Sequence, residues 1–137
     1  MKQNILYEQS AIKIVLKKLQ EQGYRWKNIH TVNKGRYAII EGKGYPNIAI
    51  LLKTEPFFNF GKKFSDMGYK GVGDSINTES LKEFLNANVE KVYTMFKDGK
   101  IYSIDLLHFL NKSVAWTQKE GTKVRSISIH EYTRVLR

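Results

Sequence analysis

Cysteine is absent from this chain, which excludes disulfides, thiolate zinc sites and cysteine nucleophiles together. Long apolar runs are missing too: no stretch approaches the about 18 to 20 residues of a membrane span. The opening Met1-Lys2-Gln3-Asn4-Ile5-Leu6-Tyr7-Glu8 meets polar residues too soon for a signal peptide. These absences predict a soluble, cytoplasmic protein with no membrane partner. There is no Gly-x-Ser-x-Gly elbow, so serine hydrolysis has no support. His30, His108 and His130 stand far apart without metal-ligand spacing, and His108 is expected within the short third helix as a boundary residue, not a ligand. Acidic residues are few, 13 against 23 Lys and Arg, for a net charge of +10.

What is present suffices for one core. The chain has 137 residues, 42% of them hydrophobic, within the size of a single domain spanning 1–137. The positive charge is unevenly placed. Residues 1–36 hold eight basic and two acidic side chains, residues 37–99 eight of each, and residues 100–137 seven and three. The net charges are therefore +6, zero and +4. Basic surface confined to particular elements attracts phosphate backbones whatever their base sequence.

Residues 5–22 read as an amphipathic helix, with Ile5, Ile12, Val15, Leu16 and Leu19 at helical spacing and Gly23 just past its end. Lys13 and Lys17 lie off that stripe, in solvent. Strands are expected over Tyr24–Val32, Arg36–Glu41 and Asn47–Lys53, the last an apolar run suited to a strand covered on both faces. Residues 56–77, with four Gly and four Phe, form the least regular segment. A second helix runs from Thr78 to about Asn88, capped by Asn77 or Thr78. Asp98-Gly99 predicts a hairpin joining Val92–Phe96 to Ile101–Ile104. A short helix, Asp105–Lys112, precedes a second hairpin around Glu120-Gly121, and the tail is expected to end in a helical turn.

Two segments carry further candidate chemistry. Lys70, Gly71 and Gly73, before the second helix, could cradle phosphate through backbone amides, although no Walker sequence is present. Aromatic residues interleave with bases in Tyr24-Arg25-Trp26-Lys27 and in Phe57-Phe58-Asn59-Phe60-Gly61-Lys62-Lys63. Such patterns suit nucleic-acid binding, with rings stacking on bases and cations on phosphates. The candidate nucleic-acid contacts are Lys13, Lys17, Arg25, Lys27, Lys34, Arg36, Lys62, Lys63 and Lys70.

The order helix, three-strand meander, helix, strand over about residues 5–97 resembles the core of the PD-(D/E)XK nuclease superfamily, especially the archaeal Holliday junction resolvases. The resemblance implies an α/β (α+β) fold of restriction-endonuclease-like type, with the C-terminal hairpins appended. It also implies a helix Glu, an Asp opening the second strand, and (Asp/Glu)-x-Lys closing the third. In that family the acids hold magnesium for phosphodiester hydrolysis while the lysine stabilises the attacking hydroxide. Glu8 matches the helix Glu and Lys53 the motif lysine, but Leu51 stands in the acid's place, and Arg36 and Tyr37 where the Asp belongs. In a second register Glu41-Gly42-Lys43 is an intact Glu-x-Lys, with Asn28, His30 and Asn33 where an upstream acid is needed. Glu55 could supply a shifted carboxylate.

The resulting expectation is a nucleic-acid-binding protein, DNA being the expected partner, with a nuclease-like fold and an incomplete or rearranged metal site. If the chain cleaves, Glu8, Glu41, Glu55 and Lys53 are the catalytic candidates, magnesium is the implied cofactor, and a homodimer is implied by the resemblance. Two alternatives stand beside it. One is a non-enzymatic protein–protein interaction module working through the aromatic segment 57–69. The other is an active magnesium-dependent DNA endonuclease or junction resolvase.

Overall fold

In the computed structural model, which describes residues 2–32, 37–53, 58–59, 72–96, 98–118 and 120–135, alternation of apolar residues sets two faces on one sheet. On strand β2 (Tyr37–Gly42), Ala38 and Ile40 point one way and Tyr37 and Ile39 the other. On β3 (Asn47–Lys53), Ile48 and Ile50 share the first face, while Ala49 and Leu51 share the second. Both faces are covered, which is why β3 reads as a continuous apolar run.

Helix α1 (Lys2–Glu21) covers the first face with Ala11, Ile12, Val15, Leu16 and Leu19. It ends where Gly23 adopts φ 101°, a left-handed conformation costly for residues with a Cβ. There the Gly23 and Tyr24 amides donate to the Gln20 and Leu19 carbonyls, each at 3.0 Å. Strand β1 (Trp26–Val32) then pairs antiparallel with β2, and β2 antiparallel with β3.

Between β3 and its parallel neighbour lie β4 (Phe58–Asn59), β5 (Val72–Asn77) and helix α2 (Thr78–Asn86). Asn77 caps α2, its side-chain oxygen accepting from the Glu79 amide at 2.8 Å. Strand β6 (Val89–Phe96) pairs parallel with β3, so that Lys53 lies beside Phe96 at the carboxyl ends of both strands. The Asp98-Gly99 turn leads to β7 (Ile101–Asp105), followed by α3 (Leu106–Lys112), β8 (Val114–Thr117) and β9 (Lys123–Ser128). A 3-10 turn (Ile129–Glu131) precedes β10 (Thr133–Arg134).

The strands form two sheets among the described residues. The larger has order β1-β2-β3-β6-β7-β10 and the smaller β4-β5-β9-β8. The second face of the large sheet packs against α2, α3 and the small sheet, with Phe84, Phe109, Ile76 and Ile127 in a shared core. The described residues therefore form a mixed α+β protein, with three α-helices and mostly strands among them. No described helix is long and apolar enough to cross a membrane.

Two expectations need correction. The stretch expected to lead glycine-rich into the second helix is, over Val72–Asn77, a paired strand whose amides serve a ladder with β9. The tail does not end in its helical turn: after Ile129–Glu131 it adds β10 to the edge of the large sheet. Both differences have one cause, since short strands completed by distant partners carry little local pattern.

Candidate functional site

The carboxyl end of β3 is where the two sheets meet chemically. Lys53 shares the face of Ala49 and Leu51, which turns toward the small sheet. Opposite it, on β5, Asp74 is only 3% exposed. A carboxylate this buried requires partners, and it has two. Lys53 Nζ lies 2.9 Å from Asp74 Oδ1, and Tyr132 donates its hydroxyl to Asp74 Oδ2 at 2.9 Å. The same ammonium also donates to the Ser75 carbonyl oxygen. Burial, reinforced by the Asp74 charge and hydrogen bond, raises the Tyr132 pKa well above its usual 10, so the phenol remains a donor.

A second polar chain runs through the small sheet. Trp116 Nε1 donates to Ser126 Oγ at 2.6 Å, and Ser126 Oγ shares a hydrogen bond with Ser75 Oγ at 2.6 Å. Ser75 and Ser126 are register partners on β5 and β9, so the ladder itself sets this contact. Arg125 is a structural cation. It donates to Ser113 Oγ at 2.7 Å, Ser113 O at 2.8 Å and Leu110 O at 3.3 Å, satisfying carbonyls at the end of α3.

The catalytic candidates are dispersed. Glu41 sits at the other end of the sheet, because Ile40 pairs with Ile48 whereas Tyr37 pairs with Leu51. At about 3.3 Å per residue, the six steps along β3 separate the Glu41 end from Lys53 by roughly 20 Å. There Glu41 accepts from Asn28 Nδ2 at 2.8 Å and pairs with Lys27 Nζ at 3.3 Å, with His30 Nε2 at 4.0 Å. The Asn28 hydrogen bond, followed by that from Lys27, lowers the Glu41 pKa. Glu55 lies outside the described residues, as does the side chain of Glu8.

Of the residues that stand where the resembled motif has acids, Leu51 is 7% exposed and Tyr37 3%, while Arg36 lies outside the described residues. Tyr37 donates to Glu83 Oε2 on α2 at 2.5 Å, and its pKa is raised first by burial and then by Glu83. Asp74 and Glu83 were missed from sequence. Neither belongs to a motif, and each meets its partner only across elements.

Among the expected nucleic-acid contacts, Lys13, Lys17, Arg25 and Lys27 are exposed. Lys34, Arg36, Lys62, Lys63, Lys70 and Gly71 lie outside the described residues, while Gly73 is a buried strand position in β5. Tyr24 and Trp26 pack partly against the α1 core. Tyr24 donates to the Pro46 carbonyl at 2.8 Å, and burial, with Tyr93 nearby, pushes its pKa up to about 12. His108 stands at the surface of α3, its Nε2 2.8 Å from Glu131 Oε1.

No family model matches this chain, and no curated protein and no solved structure resembles it significantly.

Proposed function

We propose that this chain is a nucleic-acid-binding protein with a restriction-endonuclease-like core and an incomplete metal site. The observation that carries the reading is Lys53, held at the carboxyl end of β3 beside the parallel strand β6. α1, the β1–β3 meander, α2 and the parallel strand β6 keep the sequence order of the resemblance, with β4 and β5 inserted before α2, and the chain carries +10 of net charge. A ligand drawn by that charge would find the carboxyl ends of the parallel pair, where open α/β sheets tend to bind ligands. A homodimer, by the same resemblance, is part of this reading.

The described residues do not fit a magnesium centre at Lys53. Both oxygens of Asp74 are engaged, one by Lys53 and one by Tyr132, and Glu41 is at the far end of the strand. The proposed activity is therefore binding, with Lys53 tying β3 to Asp74 and Ser75 of the small sheet.

The test is a gel-shift series with duplex, single-stranded and four-way-junction DNA across salt, with magnesium or chelator. Salt-sensitive binding without cleavage is expected. Magnesium-dependent cleavage would instead establish an active nuclease and put Glu8 and Glu55 next in line for substitution. Absence of both binding and cleavage would sink the nucleic-acid reading.

The aromatic segment 57–69 expected to carry the interaction-module reading lies, apart from Phe58–Asn59, outside the described residues, but another observation favours that reading as runner-up. Leu107 and Leu85 are 71% and 48% exposed and line a groove of about 600 Å³ between α2 and α3. That reading predicts concentration-dependent self-association, or partner capture, abolished by Leu107→Ser and insensitive to DNA.

A further inference from the structure

Beyond Phe96, the β6–β7 turn closes tightly. The Gly99 amide donates to the Phe96 carbonyl at 2.8 Å, the Phe96 amide to the Lys100 carbonyl at 2.9 Å, and the Lys100 amide to Asp98 Oδ1 at 2.9 Å. Beside this turn the C-terminal segment is pinned to β7, with the Val135 amide donating to the Ile101 carbonyl at 2.9 Å. These bonds fix the backbones that carry Lys100 and Arg134. Together with Lys18 of α1 they line a groove of about 330 Å³, whose walls include Ile101 and Val135. Three cations from three elements thus converge on one concavity. Among the described residues Asp98 is its one carboxylate, already turned to Lys100, with Oδ2 3.9 Å from Nζ. Lys18 and Arg134 have no carboxylate partner among the described residues.

We propose that this groove binds a phosphate group of a nucleic-acid backbone. A fixed turn and a pinned edge strand hold two of the cations before a ligand arrives, and a planar guanidinium with two ammonium groups suits a phosphate's oxygens. The groove lies at the end of the sheet to which Lys53 belongs, since Lys53 pairs with Phe96 and the turn follows directly. It opens on the α1 side, where Ile101 and Val135 pack with the α1 core. This inference rests on the nucleic-acid reading and names Lys18, Lys100 and Arg134 as a phosphate site within it.

The experiment is fluorescence anisotropy of an internally labelled 30-base-pair duplex without terminal phosphates, over a salt series. It compares the full chain with its Lys18→Gln, Lys100→Gln, Arg134→Gln and Lys82→Gln variants. Arg134→Gln and Lys100→Gln should each weaken binding roughly tenfold, and each should reduce the slope of log affinity against log salt by about one. Lys82→Gln, on α2 beside Glu79, should change neither. Circular dichroism of each variant separates lost contacts from lost folding. If all four variants bind like the parent with the same slope, the groove is not the phosphate site, although the protein still binds DNA. If the parent itself does not bind at any salt concentration, the nucleic-acid reading fails and this inference with it. A second duplex bearing 5′-phosphates tests the source: tighter binding of that duplex alone, lost in Arg134→Gln, would replace a backbone phosphate with a terminal one.

Discussion

Lys53 Nζ and Asp74 Oδ1 stand 2.9 Å apart, joining the last residue of a strand in the large sheet to a strand of the small one. The two partners are unequally buried: the Lys53 side chain is 24% exposed and that of Asp74 only 4%. Removing either one therefore has a different consequence. With Asp74 replaced by Asn, the ammonium can reach toward water along its flexible stem. With Lys53 replaced by Met, a carboxylate stays buried with only the Tyr132 hydroxyl beside it. Lys53→Met should cost about 3 kcal/mol and Asp74→Asn clearly less. Urea denaturation of both single variants and the double variant checks this order. Equal losses would mean that Asp74 is better solvated than its burial indicates.

Tyr132 completes the same cluster from the C-terminal segment. Its hydroxyl donates to Asp74 Oδ2, so Tyr132→Phe leaves a buried acceptor unsatisfied and should destabilise by about 1–3 kcal/mol. The pH dependence follows from the raised pKa. A phenol harder to ionise in the folded state contributes stability fully present below the unfolded value of about 10 and lost as pH rises above it. Stability should fall above pH 10 in the parent and, without the Tyr132 phenol, less steeply in Tyr132→Phe, which still falls because Tyr24, Tyr37 and Tyr93 are also raised. Phenolate absorbance followed alongside circular dichroism would show whether ionisation and unfolding coincide.

The helices, the meander and the hairpin turns were legible because their signals are local. Gly23 at φ 101°, Gly99 at φ 89° and Gly121 at φ 90° fall where the sequence places a helix end and two turns. The apolar run of β3 likewise announced burial on both faces. Of the second sheet only the β8–β9 hairpin was legible. Residues 72–77 show glycine, aspartate and serine, which suggest a loop, and become a strand only because β9 supplies its ladder from some fifty residues away. For the same reason Lys53 could be picked out as a strand-end lysine while its partner could not. Lys53→Asp74 is a contact between sheets, and no spacing rule reaches across residues 54–73.

The chain from Trp116 through Ser126 to Ser75 offers an optical test. Ser126 is fully buried, and its hydroxyl is shared by the indole and by Ser75. Ser126→Ala takes a hydrogen-bond partner from each neighbour and should cost about 1–3 kcal/mol. Only two tryptophans are present, so the emission of a Trp26→Phe background reports on Trp116 alone. Its maximum should shift when the indole loses Ser126. An unchanged spectrum and unchanged stability would mean that the serine pair is not coupled to the indole.

Glu41 tests whether an intact Glu-x-Lys spacing matters at all. The carboxylate is bound to Asn28, Lys27 and His30 at the β1–β2 edge, and the Asn28 hydrogen bond contributes most to lowering its pKa from 4.5. Asn28→Ala and Lys27→Gln should therefore each raise the Glu41 midpoint, seen by NMR titration of its side-chain carboxyl. A carboxylate with a lowered pKa stabilises the fold above its unfolded value and loses that effect as pH falls through its folded value. Both variants should accordingly lose some acid resistance. Because Glu41 and Lys53 lie at opposite ends of the neighbouring strands β2 and β3, Glu41→Gln should leave any magnesium-dependent cleavage at the parent's level. Cleavage abolished by Glu41→Gln would place the chemistry at the β1–β2 edge and require a site built on Glu41 and Lys43 instead of Lys53.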